Sequence, residues 1–190
     1  MIIFFIRHGE TIWNKKRILQ GHKDSPLTPK GKISAQKFGE RLKKENIEKI
    51  YSSDLGRCVQ TAEIINRFLN VKLIKTAELR ERNFGNLNGL SNKEVAKQIN
   101  LLDADKKAPN GESFNELKKR IITFIRSLSN RKSRKILLIT HDGPTKAILS
   151  EYHQINVNSA KCKTSDSIIY RLEAVRNKIL KGSLRLITVK

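Results

Sequence analysis

Two short apolar runs without alternation are the clearest feature of the hydrophobic pattern along this chain. The first covers residues 2–6 and the second lies within residues 135–140. A strand exposed on one face alternates apolar and polar residues, whereas a strand covered on both faces reads as a continuous apolar run. The two runs therefore predict two central strands of an α/β sheet that has helices on both faces.

Amphipathic segments around these runs predict the helices. The clearest covers residues 29–44, where Thr28 is a favourable N-cap and Pro29 suits the first helical position. Ile33 and Phe38 are expected to face the core. Further helices are predicted over 56–69, 91–99, 113–129 and 144–152, and further strands over 49–52, 71–74, 167–172 and 184–189. The order of these elements predicts a three-layer α/β sandwich whose central sheet is mostly parallel.

Local signals mark where some of these elements begin. Ser113 and Glu116 form a capping box at the start of the helix before the second apolar run. Ser53 and Asp54 are expected to cap the helix that follows the second predicted strand. A turn near residues 176–182 is predicted to join the last two strands, which alternate apolar and polar residues.

Length and charge bound the class of protein. The chain has 190 residues and is predicted to form one domain over residues 1–190. Its formal net charge is +21, which attracts anionic ligands and favours non-specific adhesion to nucleic acid at low salt. The cations are spread along the whole chain without a nucleic-acid-binding motif, so specific nucleic-acid binding is not expected.

Cysteine content and hydropathy indicate the compartment. Cys58 and Cys162 have neither the spacing of a disulfide framework nor that of a metal site. No apolar run approaches the roughly 20 residues of a membrane span. A cytoplasmic protein without a membrane partner is expected. A homodimer is one possible state, because the sequence does not reveal how many copies of the chain associate.

Both central strands are predicted to end on a histidine. Arg7 and His8 follow the first apolar run, and His141 follows the second. Ligands bind beyond the carboxyl ends of strands in open α/β sheets, so these side chains are expected to lie together. Arg57 lies in the first turn of a predicted helix, where a bound anion would offset its unfavourable interaction with the helix dipole. Together with Glu81, these residues have the composition of a phosphate site.

Each candidate also has a simpler interpretation. A histidine at a strand end is often an ordinary polar loop residue, and Arg57 considered alone would be assigned to the surface. Glu81 lies between Arg80 and Arg82 and could be an ion-pair partner for either. Two histidines delivered by two buried strands are more informative than either alone, and they favour a functional site.

Four motifs follow one another along the chain, with a polar loop between the first two. They are Arg-His-Gly-Glu-Thr at 7–11 with Asn14, Ser-Ser-Asp-Leu at 52–55 before Arg57 and Gln-Thr-Ala, Leu-Arg-Glu with Phe-Gly at 79–85, and Thr-His-Asp-Gly at 140–143. The loop contains Gln20, Gly21 and Asp-Ser-Pro-Leu-Thr at 24–28. In this order, from residue 2 to about residue 149, they resemble the histidine phosphatase superfamily, also called the phosphoglycerate mutase-like family, in its phosphatase branch. Asp142 is a variant within the fourth motif.

The resemblance implies a phosphomonoesterase that forms a phosphohistidine intermediate on His8. Glu81 is implied to be the general acid and base, and the Gly9 carbonyl is expected to hold the other ring nitrogen of His8. Protonated His141 is implied to act on the phosphoryl oxygens. The implied catalytic residues are His8, Glu81, Arg7, Arg57 and His141, and the implied substrate-binding residues are Arg7, Asn14, Gln20, Gly21, Arg57, Arg82, His141 and Asp142.

The family contains both phosphatases and cofactor-dependent phosphoglycerate mutases, so two activities stay open. Residues 82–111 are expected to form a lid that selects the substrate. The interval from Glu81 to His141 is short for a mutase, and a short lid shields phosphohistidine from water less well. Lys93 nevertheless lies near the place of a lysine of the mutase pattern. Hydrolysis of a small phosphorylated substrate is therefore the preferred prediction.

Cofactor requirements differ between the two activities. A phosphatase of this family implies no metal and no cofactor, whereas a mutase would need 2,3-bisphosphoglycerate. A third alternative is an inactive protein that binds or senses a phosphorylated ligand. The complete set of implied catalytic residues argues against that alternative.

Overall fold

Four consecutive parallel strands form one side of the sheet, from its edge to its centre, in the computed structural model, which describes residues 1–128, 133–162, 164–165, 167–175 and 178–189. β1 (Ile2–Arg7) pairs with β4 (Lys135–Thr140), β4 pairs with β2 (Lys49–Ser53), and β2 pairs with β3 (Lys72–Thr76). The two apolar runs are therefore neighbours at the centre of the sheet, as their continuous hydrophobicity predicted.

Three antiparallel strands extend the sheet beyond β1. β5 (Ile168–Val175) pairs with β1, and both β6 (Lys178–Ile179) and β7 (Arg185–Thr188) pair with β5. The pairing of β5 with β7 confirms the predicted pairing of the last two segments. The turn predicted between them includes residues 176 and 177, which lie outside the described residues. Within the described part of the chain the sheet has seven strands.

Helices and helical turns connect the strands. The α-helices are α1 (Ile12–Lys15), α2 (Pro29–Leu42), α3 (Gly56–Leu69), α4 (Asn92–Gln98), α5 (Phe114–Leu128) and α6 (Asp142–His153). Single 3-10 turns lie at Lys43–Glu45, Ala77–Leu79, Gly85–Leu87 and Ala160–Cys162. The end predicted for the fifth of these α-helices, residue 129, is outside the described residues. None of the described helices is long and apolar enough to cross a membrane.

Alternate side chains of the central strands face two opposite helical layers, as the two-residue period of a strand requires. Phe4 lies in a buried cluster with Phe38 of α2, whereas Phe5 lies in a second buried cluster with Leu117 of α5. α3 packs beside α2 on the first face, and α6 packs beside α5 on the second. The result is the predicted three-layer α/β sandwich with a mostly parallel central sheet.

Helix starts follow local sequence signals at two places. The Thr28 hydroxyl accepts a hydrogen bond from Gly31 N–H at 3.0 Å and caps α2. Ser113 and Glu116 form the predicted capping box at α5, with each side chain accepting from the other residue's N–H. α6 begins at Asp142, slightly earlier than predicted.

Two local predictions are wrong. Ile33 is 53% exposed, because the buried positions of α2 repeat at intervals of three and four residues from Gly31 and pass over residue 33. Ser53 and Asp54 do not cap α3, whose N-cap is Leu55 and has no side-chain cap hydrogen bond. The carboxylate that caps this helix comes from a distant loop and is described with the site.

Residues 82–111 carry a small buried cluster of their own around Leu87. Backbone hydrogen bonds join this segment to the loop between α1 and α2. Gly89 N–H donates to the Leu19 carbonyl at 2.7 Å, and Leu19 N–H donates to the Leu90 carbonyl at 2.9 Å. The loop and the segment thus form one wall. Its action as a lid stays a prediction.

Candidate active site

The two histidines lie side by side at the carboxyl ends of β1 and β4. Arg7 of β1 is in register with Thr140 of β4, and His8 N–H donates to the Thr140 carbonyl at 2.9 Å. Because His8 and His141 each follow this paired position, their rings meet with centroids 5.1 Å apart. The structure thus brings together the two histidines that the ends of the apolar runs predicted.

His8 presents an unprotonated ring nitrogen. Its Nδ1 lies 2.8 Å from the Gly9 carbonyl oxygen, which can only accept a hydrogen bond, so Nδ1 carries the proton. Nε2 is then the acceptor and receives a hydrogen bond from Arg57 Nε at 3.2 Å. The contact expected between Gly9 and the ring is present, and it leaves Nε2 unprotonated, with its lone pair accepting from Arg57.

His141 is fixed in one tautomer by the same arginine. Arg57 Nε–H also points to Nδ1 of His141 at 3.2 Å, so Nε2 carries the proton and donates to Ser53 Oγ at 2.9 Å. Cys58 Sγ lies 3.4 Å from Nε2 and donates to the Thr140 carbonyl at the same distance. Burial raises the pKa of Cys58, so the thiol stays protonated and packs against the ring.

Burial and neighbouring cations favour the neutral form of both histidines. Desolvation holds the pKa of His8 well below its usual value, and the charges of Arg57 and Arg7 lower it further. The pKa of His141 is lowered by the same causes. A nearby phosphoryl group would favour the charged form of His141 again. Its predicted protonation on substrate binding stays a prediction.

Arg57 is 1% exposed and links the site to the loop before α2. Its Nη1 donates to the Lys23 carbonyl at 2.8 Å and to Asp24 Oδ1 at 3.1 Å, and its Nη2 donates to the Gly21 carbonyl at 2.8 Å. Every nitrogen of the guanidinium therefore has a partner within the site. The interpretation of Arg57 as a surface residue is wrong.

Asp24 is a residue that sequence reasoning missed. Its carboxylate accepts hydrogen bonds from the backbone N–H groups of Gly56 and Arg57, and so caps α3 across a long sequence separation. One signal was available. The first turn of α3 carries Arg57 and no acidic residue, so its positive dipole end lacked a local partner.

Glu81 and His8 line one cavity, and the Glu81 carboxylate accepts hydrogen bonds from two backbone N–H groups. Its Oε1 lies 2.8 Å from Arg82 N and 3.1 Å from Gly143 N. Burial raises the pKa of Glu81, and the neighbouring Asp142 carboxylate adds to the shift. A raised pKa suits a carboxyl group that has to deliver a proton near neutral pH.

The arginines beside Glu81 have other partners. Arg80 forms a two-point ion pair with Asp54, at 2.7 Å and 2.6 Å. Arg82 is 4% exposed and donates to two backbone carbonyls, including that of Glu112 at 2.9 Å. The interpretation of Glu81 as their ion-pair partner is therefore wrong. Arg82 lines the cavity, and its contact with substrate stays a prediction.

His22 and Arg120 hold the backbone of Glu81, and sequence reasoning gave them no such role. His22 Nε2–H donates to the Glu81 carbonyl at 2.9 Å, and Arg120 Nη2 lies 3.4 Å from the same oxygen. Arg120 is itself fixed by Glu112 Oε1 at 2.6 Å. No sequence signal points to these contacts, because each joins residues far apart in the chain.

The predicted loop residues line the cavity with His8, whereas His141 is fully buried and is not one of the described residues that line it. Asn14 Oδ1 accepts two hydrogen bonds from Thr11, which leaves the amide nitrogen as the donor for a ligand. Gln20 is 7% exposed, and its Oε1 has no hydrogen-bond partner among the described residues. Gly21 has φ +51°, and a Cβ there would clash with the Asn88 side chain, so the position requires glycine.

Asp142 lines the cavity with its carboxylate already engaged. It lies 2.7 Å from Lys146 Nζ and accepts a hydrogen bond from the Thr164 hydroxyl. Burial opposes ionisation, but the charges of Arg7 and Lys146 lower the pKa of Asp142. The side chain is therefore anionic at neutral pH. Its predicted contact with substrate stays a prediction.

A cavity of about 400 Å³ joins these side chains, a size typical of small-molecule sites. Its wall carries five cationic side chains and two carboxylates. The cations are Arg7, Arg17, Arg57, Arg82 and Lys146, and the carboxylates are Glu81 and Asp142. This excess of positive charge suits an anionic ligand. Within the described ranges, no group of three or more His, Cys, Asp and Glu side chains is placed to hold a metal ion.

The sequence matches a known family along most of its length. Residues 3–178 match the histidine phosphatase superfamily (branch 1). The chain is 40% identical over 147 residues to the Proteus mirabilis protein named probable phosphoglycerate mutase GpmB, covering 73% of this chain and 68% of that one. A protein of the same name from Escherichia coli O1:K1 is 37% identical with the same coverage. The chain belongs to the histidine phosphatase superfamily, whose members include phosphatases and mutases.

Solved structures confirm the phosphoglycerate mutase-like fold. Bacillus stearothermophilus YhfR is 25% identical, with a TM-score of 0.86 over 96% of this chain and 95% of that chain. A mycobacterial glucosyl-3-phosphoglycerate phosphatase in complex with VO3 is 22% identical, with a TM-score of 0.83 over 98% and 97% of the two chains. At this identity the second likeness concerns the fold alone.

Proposed function

We propose that the protein hydrolyses phosphomonoesters without a metal ion, through a phosphohistidine intermediate on His8. The observation that carries the proposal is the state of the His8 ring. Its Nδ1–H donates to the Gly9 carbonyl, which leaves Nε2 unprotonated, and His8 and Glu81 line the same cavity. A fixed neutral imidazole can act as the nucleophile, and a carboxyl group of raised pKa can act as the general acid.

The first step transfers the phosphoryl group to the enzyme. His8 Nε2 attacks phosphorus while the ester P–O bond breaks, and protonated Glu81 donates its proton to the departing alkoxide. Arg7, Arg57 and a protonated His141 would stabilise the charge on the phosphoryl oxygens. Arg57 would exchange its contacts with the two ring nitrogens for contacts with the phosphoryl group.

The second step releases phosphate. Glu81, now ionised, accepts a proton from a water molecule while the water oxygen attacks phosphorus and the P–N bond breaks. His8 returns to its neutral tautomer, and Glu81 is again protonated. The two backbone N–H groups that bind the Glu81 carboxylate keep it in one position through both steps.

The cavity is open to solvent, and this favours hydrolysis over phosphoryl transfer between substrates. Arg17, Asn92 and Leu102 line the cavity and are themselves exposed to solvent. A mutase has to keep water away from phosphohistidine until its second substrate arrives. An open mouth admits water to the intermediate.

A phosphoglycerate mutase that uses 2,3-bisphosphoglycerate is the second candidate. The observation that favours it is the name of the relatives that are 37% and 40% identical. Lys93, which lies near the place of a lysine of the mutase pattern, is exposed in α4 and is not one of the described residues that line the cavity.

One experiment separates the candidates. Wild type and His8→Ala are assayed with chelator on p-nitrophenyl phosphate and on 3-phosphoglycerate, with and without 2,3-bisphosphoglycerate. Hydrolysis predicts phosphate release that survives the chelator and is lost in the variant. Bisphosphate-dependent isomerisation with little release would instead identify a mutase. Folded wild type that is inactive in every assay would favour a binding protein.

A further inference from the structure

Part of the cavity wall is apolar, although the residues around the histidines are polar. Ile18, Leu101, Leu102 and Val157 line the same cavity as His8. We refer to these four side chains as the apolar wall. They come from three separate parts of the chain: the loop before α2, the segment after α4 and the segment after α6.

Hydrogen bonds outside the catalytic set hold the apolar wall together. Asn158 Nδ2 donates to the Leu102 carbonyl at 2.8 Å and joins the segment after α6 to the segment after α4. Ile18 forms an isolated β-bridge with Ser91, which lies at the start of α4. The three parts of the wall are therefore connected before a ligand arrives, which lowers the entropic cost of binding.

Leu102 is the side chain of the apolar wall that is most exposed to solvent. It is 68% exposed, which leaves a large aliphatic side chain in water at the cavity. Single exposed leucines are common on protein surfaces, but this one belongs to a cavity that already has four other aliphatic side chains, Leu19 and the rest of the apolar wall. A ligand with an apolar group would bury it.

The cations on this side of the catalytic residues are less available for a polar substrate than their number indicates. Arg82 donates to two backbone carbonyls, and Lys146 is paired with the Asp142 carboxylate at 2.7 Å. Arg17, which is exposed, stays available to an anionic group. Besides Arg17, this side of the cavity therefore presents aliphatic side chains and two cations that already have partners.

We propose that the preferred substrate is a phosphomonoester whose alcohol part carries an apolar group, of about the size of a ring, that packs on the apolar wall. The inference rests on the proposed phosphatase activity and names the substrate class of that site. In this arrangement the phosphoryl group lies at His8 and the alcohol part contacts Ile18, Leu101, Leu102 and Val157. Phosphoglycerate, which is polar throughout, would leave the wall uncovered.

Ethyl phosphate and 2-phenylethyl phosphate test the proposal. Both are esters of primary alcohols and carry the same charge, so they differ in the apolar group and little in leaving-group chemistry. The expected kcat/KM is at least roughly tenfold higher for 2-phenylethyl phosphate, since small apolar differences are worth about 10- to 200-fold in such sites. Leu102→Asn is expected to lower the ratio of the two kcat/KM values at least about threefold.

Leu186→Asn is the matched control, because Leu186 is also an exposed leucine, at 59%, but lies on β7. It should leave the ratio unchanged. Equal kcat/KM values for the two esters, a preference for 3-phosphoglycerate, or equal ratios in wild type and Leu102→Asn would overturn the inference and leave the phosphatase proposal standing. If folded wild type hydrolyses no phosphomonoester, the phosphatase proposal fails and the inference falls with it.

Discussion

At the scale of single residues, one arginine sets the state of both histidines. Arg57 Nε–H is shared between His8 Nε2 and His141 Nδ1, each at 3.2 Å. Since an arginine nitrogen only donates, both ring nitrogens must be unprotonated. The protonated nitrogens of the two rings, His8 Nδ1 and His141 Nε2, then donate to the Gly9 carbonyl and the Ser53 hydroxyl. Hydrogen bonding as well as burial therefore keeps Nε2 of His8, the proposed nucleophile, unprotonated.

The pH dependence of catalysis follows from two pKa shifts. The pKa of His8 lies well below 6.5, so the ring is still neutral in mildly acidic solution. The value of kcat/KM should fall on the acid side only where the pH passes through this lowered pKa. The pKa of Glu81 is raised above 4.5, so the protonated acid persists to higher pH, and rate is lost as pH rises through the raised pKa. We expect a bell-shaped profile of kcat/KM whose alkaline limb belongs to Glu81.

Glu81→Gln tests that assignment. The variant should lose about 10²- to 10⁴-fold in kcat, the usual worth of a general acid, and its alkaline limb should disappear. Profiles are recorded with two substrates whose phosphates titrate at different pH, so that substrate ionisation can be separated. An unchanged alkaline limb in Glu81→Gln would show that another group controls it.

Gly143 is the residue that lets Glu81 take its position. A Cβ at this place would clash with Glu81 Oε1 and lie 3.0 Å from Leu117 Cδ2. Gly143→Ala should displace the carboxylate and lower kcat on the order of 10²-fold, because small misplacements of catalytic groups are costly. The double variant Gly143→Ala with Glu81→Ala should then be no slower than Glu81→Ala alone. Additive losses would mean that Gly143 acts elsewhere.

At the scale of elements, the central strands could be predicted in detail from the sequence. Continuous apolar runs placed β1 and β4 at the centre, and parallel pairing then placed His8 beside His141. This prediction succeeds because the burial of a strand depends on the hydrophobicity of its own residues, which can be read from a short stretch of sequence. The catalytic candidates at strand ends follow from it without knowledge of side-chain contacts.

The contacts that orient the site could not be predicted in the same way. Asp24 caps α3 and pairs with Arg57, and His22 holds the Glu81 carbonyl, in each case across a long stretch of chain. The cap prediction for Ser53 was wrong because α3 begins two residues later than a Ser53 cap requires, and the N–H groups of Gly56 and Arg57 donate to Asp24 instead. Local propensity does not reveal a competing partner that comes from a distant loop.

Asp24→Ala tests the link between the loop and α3. It removes the acceptor for two N–H groups of the helix and for Arg57 Nη1. We expect a loss of about 1–2 kcal/mol in the free energy of unfolding, the upper range for a lost N-cap, together with weaker binding of inorganic phosphate. Denaturant titration and calorimetry measure the two effects.

Glu63→Ala is the control, since Glu63 pairs only at the surface with Lys75, at 3.7 Å between the charged atoms among the described residues. It should cost no more than about 1 kcal/mol and leave phosphate binding unchanged. Equal stability and phosphate affinity of Asp24→Ala and wild type would refute the role given to Asp24.

At the scale of the whole molecule, the charge of +21 matches the chemistry of the site. The cavity wall, like the whole chain, has more cationic than anionic side chains, and Arg7 and Arg57 are two of these cations. Such a field raises the local concentration of anionic substrates and accelerates their encounter with the site. Screening by salt should remove that advantage, because the Debye length falls to about 8 Å at physiological ionic strength.

The salt dependence of kcat/KM measures this effect. The value should fall severalfold between low and physiological ionic strength, and it should fall more for a substrate that carries a carboxylate besides its phosphate than for an aryl phosphate. The kcat value, which describes bound substrate, should change much less. A kcat/KM that does not respond to salt would indicate that the charge serves no role in substrate capture.

In the proposed mechanism, His8 carries the phosphoryl group during turnover. The most direct measurement mixes the enzyme with excess substrate in the presence of chelator, quenches in alkali, where phosphohistidine survives, and locates the phosphate by peptide mass spectrometry. With p-nitrophenyl phosphate, whose leaving group needs no proton, we predict phosphate on His8 in wild type, more of it in Glu81→Gln, which lacks the base for the second step, and none in His8→Ala. Turnover with a labelled residue other than His8, or with no phosphoenzyme in either active form, would contradict it.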